Sequence, residues 1–217
     1  MFLDLLFPNR CLHCNRIIDG KIFICNLCFE HLEFYHFNES KHNLLLERCK
    51  LLFPIENAFA LLEFKKEGLS RETVHAIKYK GRQNIGKSLA EWTSEKIDLK
   101  KIKPDLVLSV PLHPRKKKER GYNQLHLFTE TLAKINEIPF DHDLIVRNIY
   151  KKSQTFKNRE RRSEGKNLFS LTKEINNKHV LLIDDVFTTG STMSHFAWEI
   201  LKNPTNKVSV LVIAFDI

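Results

Sequence analysis

The run Val180-Leu181-Leu182-Ile183 shows no alternation of apolar and polar positions. It predicts a short strand buried on both faces of a parallel sheet. Beyond the loop that follows, Met193, Phe196, Ala197, Ile200 and Leu201 fall at i, i+3, i+4, i+7 and i+8, one face of a helix that stops before Pro204. The same reading predicts strands at Ala58–Phe64, Leu106–Val110, Leu144–Arg147, Leu168–Leu171 and Val208–Phe215. A helix starts from an N-cap at Ser70, with Leu69 and Val74 as a hydrophobic staple, and runs to about Tyr79. A second carries Ile85, Leu89 and Trp92 on one face, and a third turns Leu125, Phe128, Leu132 and Ile135 inward. Strands alternating with helices predict an α/β fold, a parallel sheet flanked by helices. Residues 29–53 read as a connecting segment in which Leu44–Leu46 and Leu51–Phe53 pack against the next domain.

Composition narrows this reading. The chain has 217 residues, 42% hydrophobic and 28% charged, enough for one medium domain or a domain plus a small module. The longest apolar run, near Val210–Phe215, is far short of the roughly 20 residues of a membrane span. Met1–Pro8 carries Asp4 within its apolar run and no basic n-region, so a signal peptide is not expected and a cytoplasmic location is. Net charge is +9. Residues 1–50 hold six basic and six acidic side chains, so the other 29 basic and 20 acidic residues supply the whole excess. Attraction to phosphate or nucleic acid is therefore expected on the later, larger part of the chain.

Cys11-Leu12-His13-Cys14 and Cys25-Asn26-Leu27-Cys28 are two C-x-x-C knuckles ten residues apart. Each knuckle turns two thiolates to one point, so Cys11, Cys14, Cys25 and Cys28 make a four-cysteine zinc site. Asp19-Gly20 supplies a hairpin turn between them. With all four positions filled by thiolates, the zinc is structural; a pair of disulfides is the alternative. His13 is a bystander and Cys49 a core residue. The expected division is a zinc-ribbon module over 1–35, a connecting segment over 36–56, and the α/β domain over 57–217.

The chemistry concentrates after the first strand described above. Asp184 and Asp185 stand at its expected end, followed by Thr188, Thr189, Gly190, Ser191 and Thr192 before the helix. A loop between a strand's carboxyl end and a helix's amino end presents unpaired N–H groups backed by the helix dipole, and a phosphate fits there. The hydroxyls add hydrogen bonds, and Gly190 lets the backbone approach closely. The loop lacks the lysine and glycine spacing of a Walker P-loop. Carboxylates beside a phosphate cradle suit sugar hydroxyls, so a ribose 5-phosphate would satisfy both halves of the motif.

This string resembles the phosphoribosyl pyrophosphate (PRPP) motif of type I phosphoribosyltransferases. A second stretch, Pro111-Leu112-His113-Pro114 followed by Arg115, Lys116, Lys117, Lys118, Glu119 and Arg120-Gly121-Tyr122-Asn123-Gln124, lies after a strand end. By itself it reads as a basic loop, either plainly solvated or gripping pyrophosphate or a nucleic-acid backbone. S-V-P-L-H-P-(basic)-R-G-Y-N-Q is similar to the corresponding segment of ComF-family proteins, the ComFC and GntX group. That resemblance implies a pyrophosphate loop using His113, Arg115, Lys116, Arg120, Asn123 and Gln124. It also implies a flexible lid over 150–167, marked by Gln154, Thr155, Arg159, Arg162 and Asn167. The implied fold is a type I phosphoribosyltransferase-like sheet preceded by a small zinc ribbon. The implied ligands are PRPP with Mg²⁺, and the implied activity is transfer of a phosphoribosyl group to an acceptor that no segment identifies. The rival reading is a competence protein that binds single-stranded DNA, with the fold as a scaffold or PRPP sensor and other competence proteins as partners. The oligomeric state is not legible.

Overall fold

The computed structural model describes residues 8–19, 22–35, 42–78, 84–148 and 168–217, with the side chain of Arg120 outside that description. Four strands form a parallel sheet: β1 (Ala58–Glu63), β2 (Leu106–Ser109), β5 (His179–Phe187) and β6 (Lys207–Phe215), in the spatial order β1-β6-β5-β2. β3 (Ile145–Arg147) and β4 (Phe169–Leu171) form a separate antiparallel ribbon. The helices are α1 (Asn26–Glu30), α2 (Leu44–Lys50), α3 (Leu69–Ala76), α4 (Asn84–Lys96), α5 (Pro114–Arg120), α6 (His126–Asn136) and α7 (Ser191–Leu201). α4 and α6 pack side by side, with α4 also against β1 and α6 against β2, while α7 lies on β4, β5 and β6. This is the α/β architecture that the apolar pattern predicts. Val180–Ile183 are completely buried, as a strand covered on both faces requires.

The register of β5 positions the site. Its pairing with β6 does not stop at Ile183 but continues through Asp184↔Val212 and Val186↔Ala214 to Phe187↔Phe215. On its other side β2 runs out sooner: Ser109 pairs with Ile183, and the Val110 N–H makes a last 2.9 Å bond to the Ile183 carbonyl. The next residue, Pro111, has no N–H to continue the ladder. The edge of β5 is thereby left open from Asp184 onward. The strand that the sequence pattern ends at Ile183 is longer because β6 carries it.

Three other segments differ from the pattern's expectation. Residues 29–53 are not a mere connection. Tyr35 N–H bonds to Leu61 O and Glu63 N–H to Glu33 O, both at 2.9 Å, so residues 33–35 add to the free edge of β1. α2 then packs on β1 with Leu45 and Cys49 fully buried. The 113–124 stretch is not an open loop: Pro114–Arg120 is a helix. Pro114 stands in its first turn, the His113 ring accepts from the Arg115 N–H at 3.2 Å, and Gly121 closes it at φ 80°. Finally, α3 starts at Leu69 behind Gly68, and Ser70 accepts from the Lys65 N–H instead of capping.

The cysteine module docks on α4. The Trp92 ring meets Phe29 at 4.8 Å, Phe23 at 5.2 Å and Phe34 at 6.2 Å between centroids. His13 Nδ1 lies 3.0 Å from Glu72 Oε2 on α3, a second tie between module and domain. Asp19 is described but Gly20 is not, so the predicted Asp19-Gly20 turn lies partly outside the described residues. No helix among the described residues is long and apolar enough to cross a membrane.

Candidate functional site

The open edge of β5 faces a cavity of about 270 Å³. Val110, Pro111 and Leu112 wall it where β2 turns away, and Asp184, Asp185 and Val186 line it from β5. Thr192 reaches it from the first turn of α7, and Lys116 and Gln124 from the basic segment. Of the residues singled out in the sequence, Asp184, Asp185, Thr192, Lys116 and Gln124 are thus brought to one place.

The two acids differ in their surroundings. Asp185 Oδ2 is 3.1 Å from Lys78 Nζ and accepts from Gln124 Nε2 at 3.2 Å. Asp184 Oδ1 accepts only the backbone N–H of Asp185, at 2.8 Å, among the bonds described. Burial, and then the adjacent charge of Asp185, push the Asp184 carboxyl up to about 8, against the pull of the Asp185 N–H, Lys78 and Arg147. The pair therefore holds on to a proton well above the usual carboxylate range.

The 188–192 loop turns between β5 and α7. Gly190 is the N-cap of α7 at φ 75°, and no side chain caps the helix. The first-turn N–H groups and the positive end of the dipole are therefore not quenched by a cap. Thr188, Thr189 and Ser191 are exposed, and the Ser191 N–H makes one long contact, 3.4 Å, to Thr189 Oγ1. Gly190 has a further reason to be glycine. A Cβ there would come within 2.4 Å of Leu52 Cδ1 and 2.6 Å of Phe187 Cζ, so those side-chain tips would have to shift to admit it.

The basic segment divides. Lys116 lines the cavity, whereas Arg115 is exposed and bonds Glu119 at 3.1 Å along α5. His113 is used as the cap of α5. Asn123 is buried, its Nδ2 donating to Val110 O at 3.1 Å and its Oδ1 accepting from Leu125 N–H at 3.0 Å. Its amide is engaged in shaping the turn rather than open to the cavity. The side chain of Arg120 lies outside the described residues, as do Gln154, Thr155, Arg159, Arg162 and Asn167.

Two cavity residues escaped the sequence reading. Lys78 follows α3, about a hundred residues from the acid it pairs with. The pattern shows it only as one of several cations ending a helix. Arg147 ends β3 and lines the same cavity, with its guanidinium carbon 5.6 Å from the centre of the Phe169 ring. Its Nε is buried and has no hydrogen-bond partner among the described residues. A buried donor left unmet costs about 1–3 kcal/mol. No periodicity marks such a residue, and only the assembled fold brings it into one cavity with the acids.

The four knuckle sulfurs form a second centre. The Sγ atoms of Cys11, Cys14, Cys25 and Cys28 all lie within 4.8 Å of one another, and Cys14 Sγ is 3.7 Å from Cys25 Sγ. Thiolates at about 2.3 Å from a tetrahedral zinc stand about 3.8 Å apart, so the set fits that ion. The Cys25 N–H also donates to Cys11 Sγ at 3.4 Å, the kind of bond that orients a metal-bound thiolate. Burial resists ionisation of Cys11, but N–H groups of Cys25, Cys14 and His13 outweigh it and draw the thiol to about 6. Cysteine donors closed on four sides leave no position for a substrate, so the zinc is structural. Cys49, by contrast, is buried in the main core, where burial pushes its thiol up to about 12.

With fold and site in view, comparison with known proteins gives the class. The chain belongs to the phosphoribosyltransferase-domain family: the family model described as "Phosphoribosyl transferase domain" matches residues 78–214. The model described as "Double zinc ribbon domain" matches residues 2–40, ahead of it. Among individual relatives, the chain is similar to the DNA utilization protein YhgH of Escherichia coli O157:H7, 32% identical over 143 residues and spanning 63% of each chain. It is 31% identical to the competence protein ComFC of Bacillus subtilis over 65% of this chain and 57% of that one. Competence protein F of Haemophilus influenzae is 32% identical over 49% and 48%. The resemblance to the ComF group read from the motifs is borne out. A solved structure described as the allosteric regulatory enzyme of purine biosynthesis aligns at a TM-score of 0.41 and 17% identity, over 67% of this chain and 30% of its own, too loosely to bear on function.

Two outcomes test this description. Purified protein holds one zinc per chain, and stripping it with a chelator changes the near-ultraviolet circular dichroism of the Trp92 aromatic packing; metal-free protein with an unaltered spectrum would count against a structural zinc. Second, the raised Asp184 carboxyl destabilises the fold progressively as pH rises from the unfolded value of 3.8 towards about 8, because the unfolded chain releases that proton first. Asp184→Asn therefore melts a few degrees above wild type at pH 8, and the difference shrinks towards pH 4. An unchanged or lower melting temperature at pH 8 would contradict the assignment.

Proposed function

We propose that the cavity is a phosphoribosyl site that binds PRPP with Mg²⁺, and that the protein transfers the phosphoribosyl group to a nucleophile. In this reading the 188–192 loop holds the 5-phosphate through N–H groups at the start of α7 and the hydroxyls of Thr188, Thr189, Ser191 and Thr192. Asp184 and Asp185 accept hydrogen bonds from the 2- and 3-hydroxyls. Lys116 and Gln124 face the diphosphate. Mg²⁺ brought in with the diphosphate would offset the charge of the leaving group. The observation that carries the reading is that Asp184, Asp185, Thr192 and Lys116 line one cavity at the open edge of β5. Membership of the phosphoribosyltransferase-domain family supports it.

The two acids are engaged differently within the protein. Asp185 is held by Lys78 and Gln124, and Asp184 keeps a proton. A diol that donates to both carboxylates removes that proton and competes for Asp185. Binding thus releases a proton at pH 7, and affinity rises with pH until Asp184 is ionised in the free protein, near pH 8.

A calorimetric titration of the zinc-loaded protein with PRPP and Mg²⁺ tests the reading. Wild type shows saturable binding, with a proton-release term that appears on comparing buffers of different ionisation enthalpy. Asp184→Asn/Asp185→Asn weakens binding by 10-fold or more, about 1.4 kcal/mol at the least. Absence of binding by folded wild type would reject the phosphoribosyl site.

A second reading is favoured by one observation. α5 presents Arg115, Lys116, Lys117 and Lys118 in sequence, all exposed, and Lys116 lines the cavity. Relatives named for DNA utilization and competence suggest a single-stranded nucleic acid for that surface. Phosphate contacts of this kind release counterions. Affinity for an oligothymidine then falls steeply between about 50 and 200 mM salt. A Lys117→Glu/Lys118→Glu variant loses binding, whereas an affinity indifferent to salt would exclude this use of α5.

A further inference from the structure

Arg147 is held beside the acid pair with a donor unmet. β3 and β4 pair in register at Arg147↔Phe169, and the guanidinium lies over the Phe169 ring. That ring in turn packs on Phe196 of α7, with centroids 5.4 Å apart, and the Leu171 N–H bonds Glu199 Oε1 of the same helix at 3.3 Å. The ribbon is thus fixed to the helix into which the 188–192 loop leads, and Arg147 belongs to the ribbon. Lys78, by contrast, is already paired with Asp185 at 3.1 Å. Of the two cations the sequence pattern missed, Lys78 is engaged within the protein, while the Arg147 Nε–H has no acceptor among the described residues.

We propose that Arg147 receives the diphosphate of the ligand, acting as a binding residue for the anion at the anomeric end. The inference rests on the phosphoribosyl reading and adds a specificity element to it. A guanidinium presents paired donors in a fork that matches two phosphate oxygens, and stacking on Phe169 orients that fork before a ligand arrives. The 5-phosphate already has its cradle in residues 188–192, so it is not the group that Arg147 serves. The charge of the cavity agrees. Three cations, Lys78, Lys116 and Arg147, line it against two acids, Asp184 and Asp185, so its balance is positive. A positive cavity suits a ligand with more anionic charge than one phosphate ester.

Arg147 therefore makes the site discriminate PRPP from ribose 5-phosphate, two ligands that differ only at the anomeric carbon. Both are titrated calorimetrically, PRPP with Mg²⁺, into zinc-loaded wild type, Arg147→Met and Arg147→Lys. Wild type binds PRPP more tightly. Arg147→Met loses 10- to 100-fold on PRPP while ribose 5-phosphate is unchanged, which also shows that the variant is folded. Arg147→Lys recovers part of the loss, since a lysine keeps the charge without the fork. An equal loss on both ligands, or no loss on PRPP, overturns the role given to Arg147 and leaves the phosphoribosyl site standing. Wild type that binds neither ligand overturns the phosphoribosyl reading itself, and the inference with it.

Discussion

The site exists because β5 outruns one of its two neighbours. The β5–β6 ladder holds the strand straight to Phe187, while β2 ends at Val110, where Pro111 cannot donate. An exposed strand edge ordinarily carries backbone groups seeking partners. Here that stretch bears Asp184 and Asp185, with the amino end of α7 and the cations of three other segments around it. Two carboxylates that adjoin one another in a partly closed recess cannot both ionise without help. Lys78 and Gln124 attend to Asp185, and Asp184 takes a proton.

That arrangement explains how much of the molecule was legible beforehand. Val180–Ile183, the acid pair and the hydroxyl loop are contiguous, so a local pattern carries their relation to one another. The two C-x-x-C knuckles are legible for the same reason, since each fixes its sulfurs by a turn of a few residues. The strands and helices of the larger domain follow from apolar periodicity, and the parallel sheet from their alternation. Lys78 and Arg147 are different. Each lies far along the chain from the acids, on elements chosen for packing, and only the assembled sheet brings them together. The helix at Pro114–Arg120 was hidden by composition: a run so rich in lysine reads as a loop until the cap at His113 and the left-handed close at Gly121 are seen. Gly190 was expected to be glycine for the sake of a phosphate. Leu52 and Phe187 beneath the loop add a packing reason that no local pattern contains.

The zinc ribbon is not an independent bead. Phe23 and Phe29 close on Trp92, the backbone of residues 33–35 continues the sheet beyond β1, and His13 reaches Glu72 on the helix that leads to Lys78. So small a module needs the metal for its own fold, and its docking gives α3 and α4 a fixed platform. Cys49, left outside the four-thiol set, completes the core beneath α2. The same chain therefore combines a metal-held platform, a recessed acid pair with its own counter-cations, and an exposed basic helix.

The most direct test of the account is a crystal structure of the zinc-loaded protein with PRPP and Mg²⁺. The account predicts the 5-phosphate on the N–H groups at 188–192 and the ribose hydroxyls on Asp184 and Asp185, with Lys78 drawn away from Asp185. A ligand seated elsewhere, or a ribose turned away from the acid pair with the Lys78–Asp185 contact intact, would contradict it.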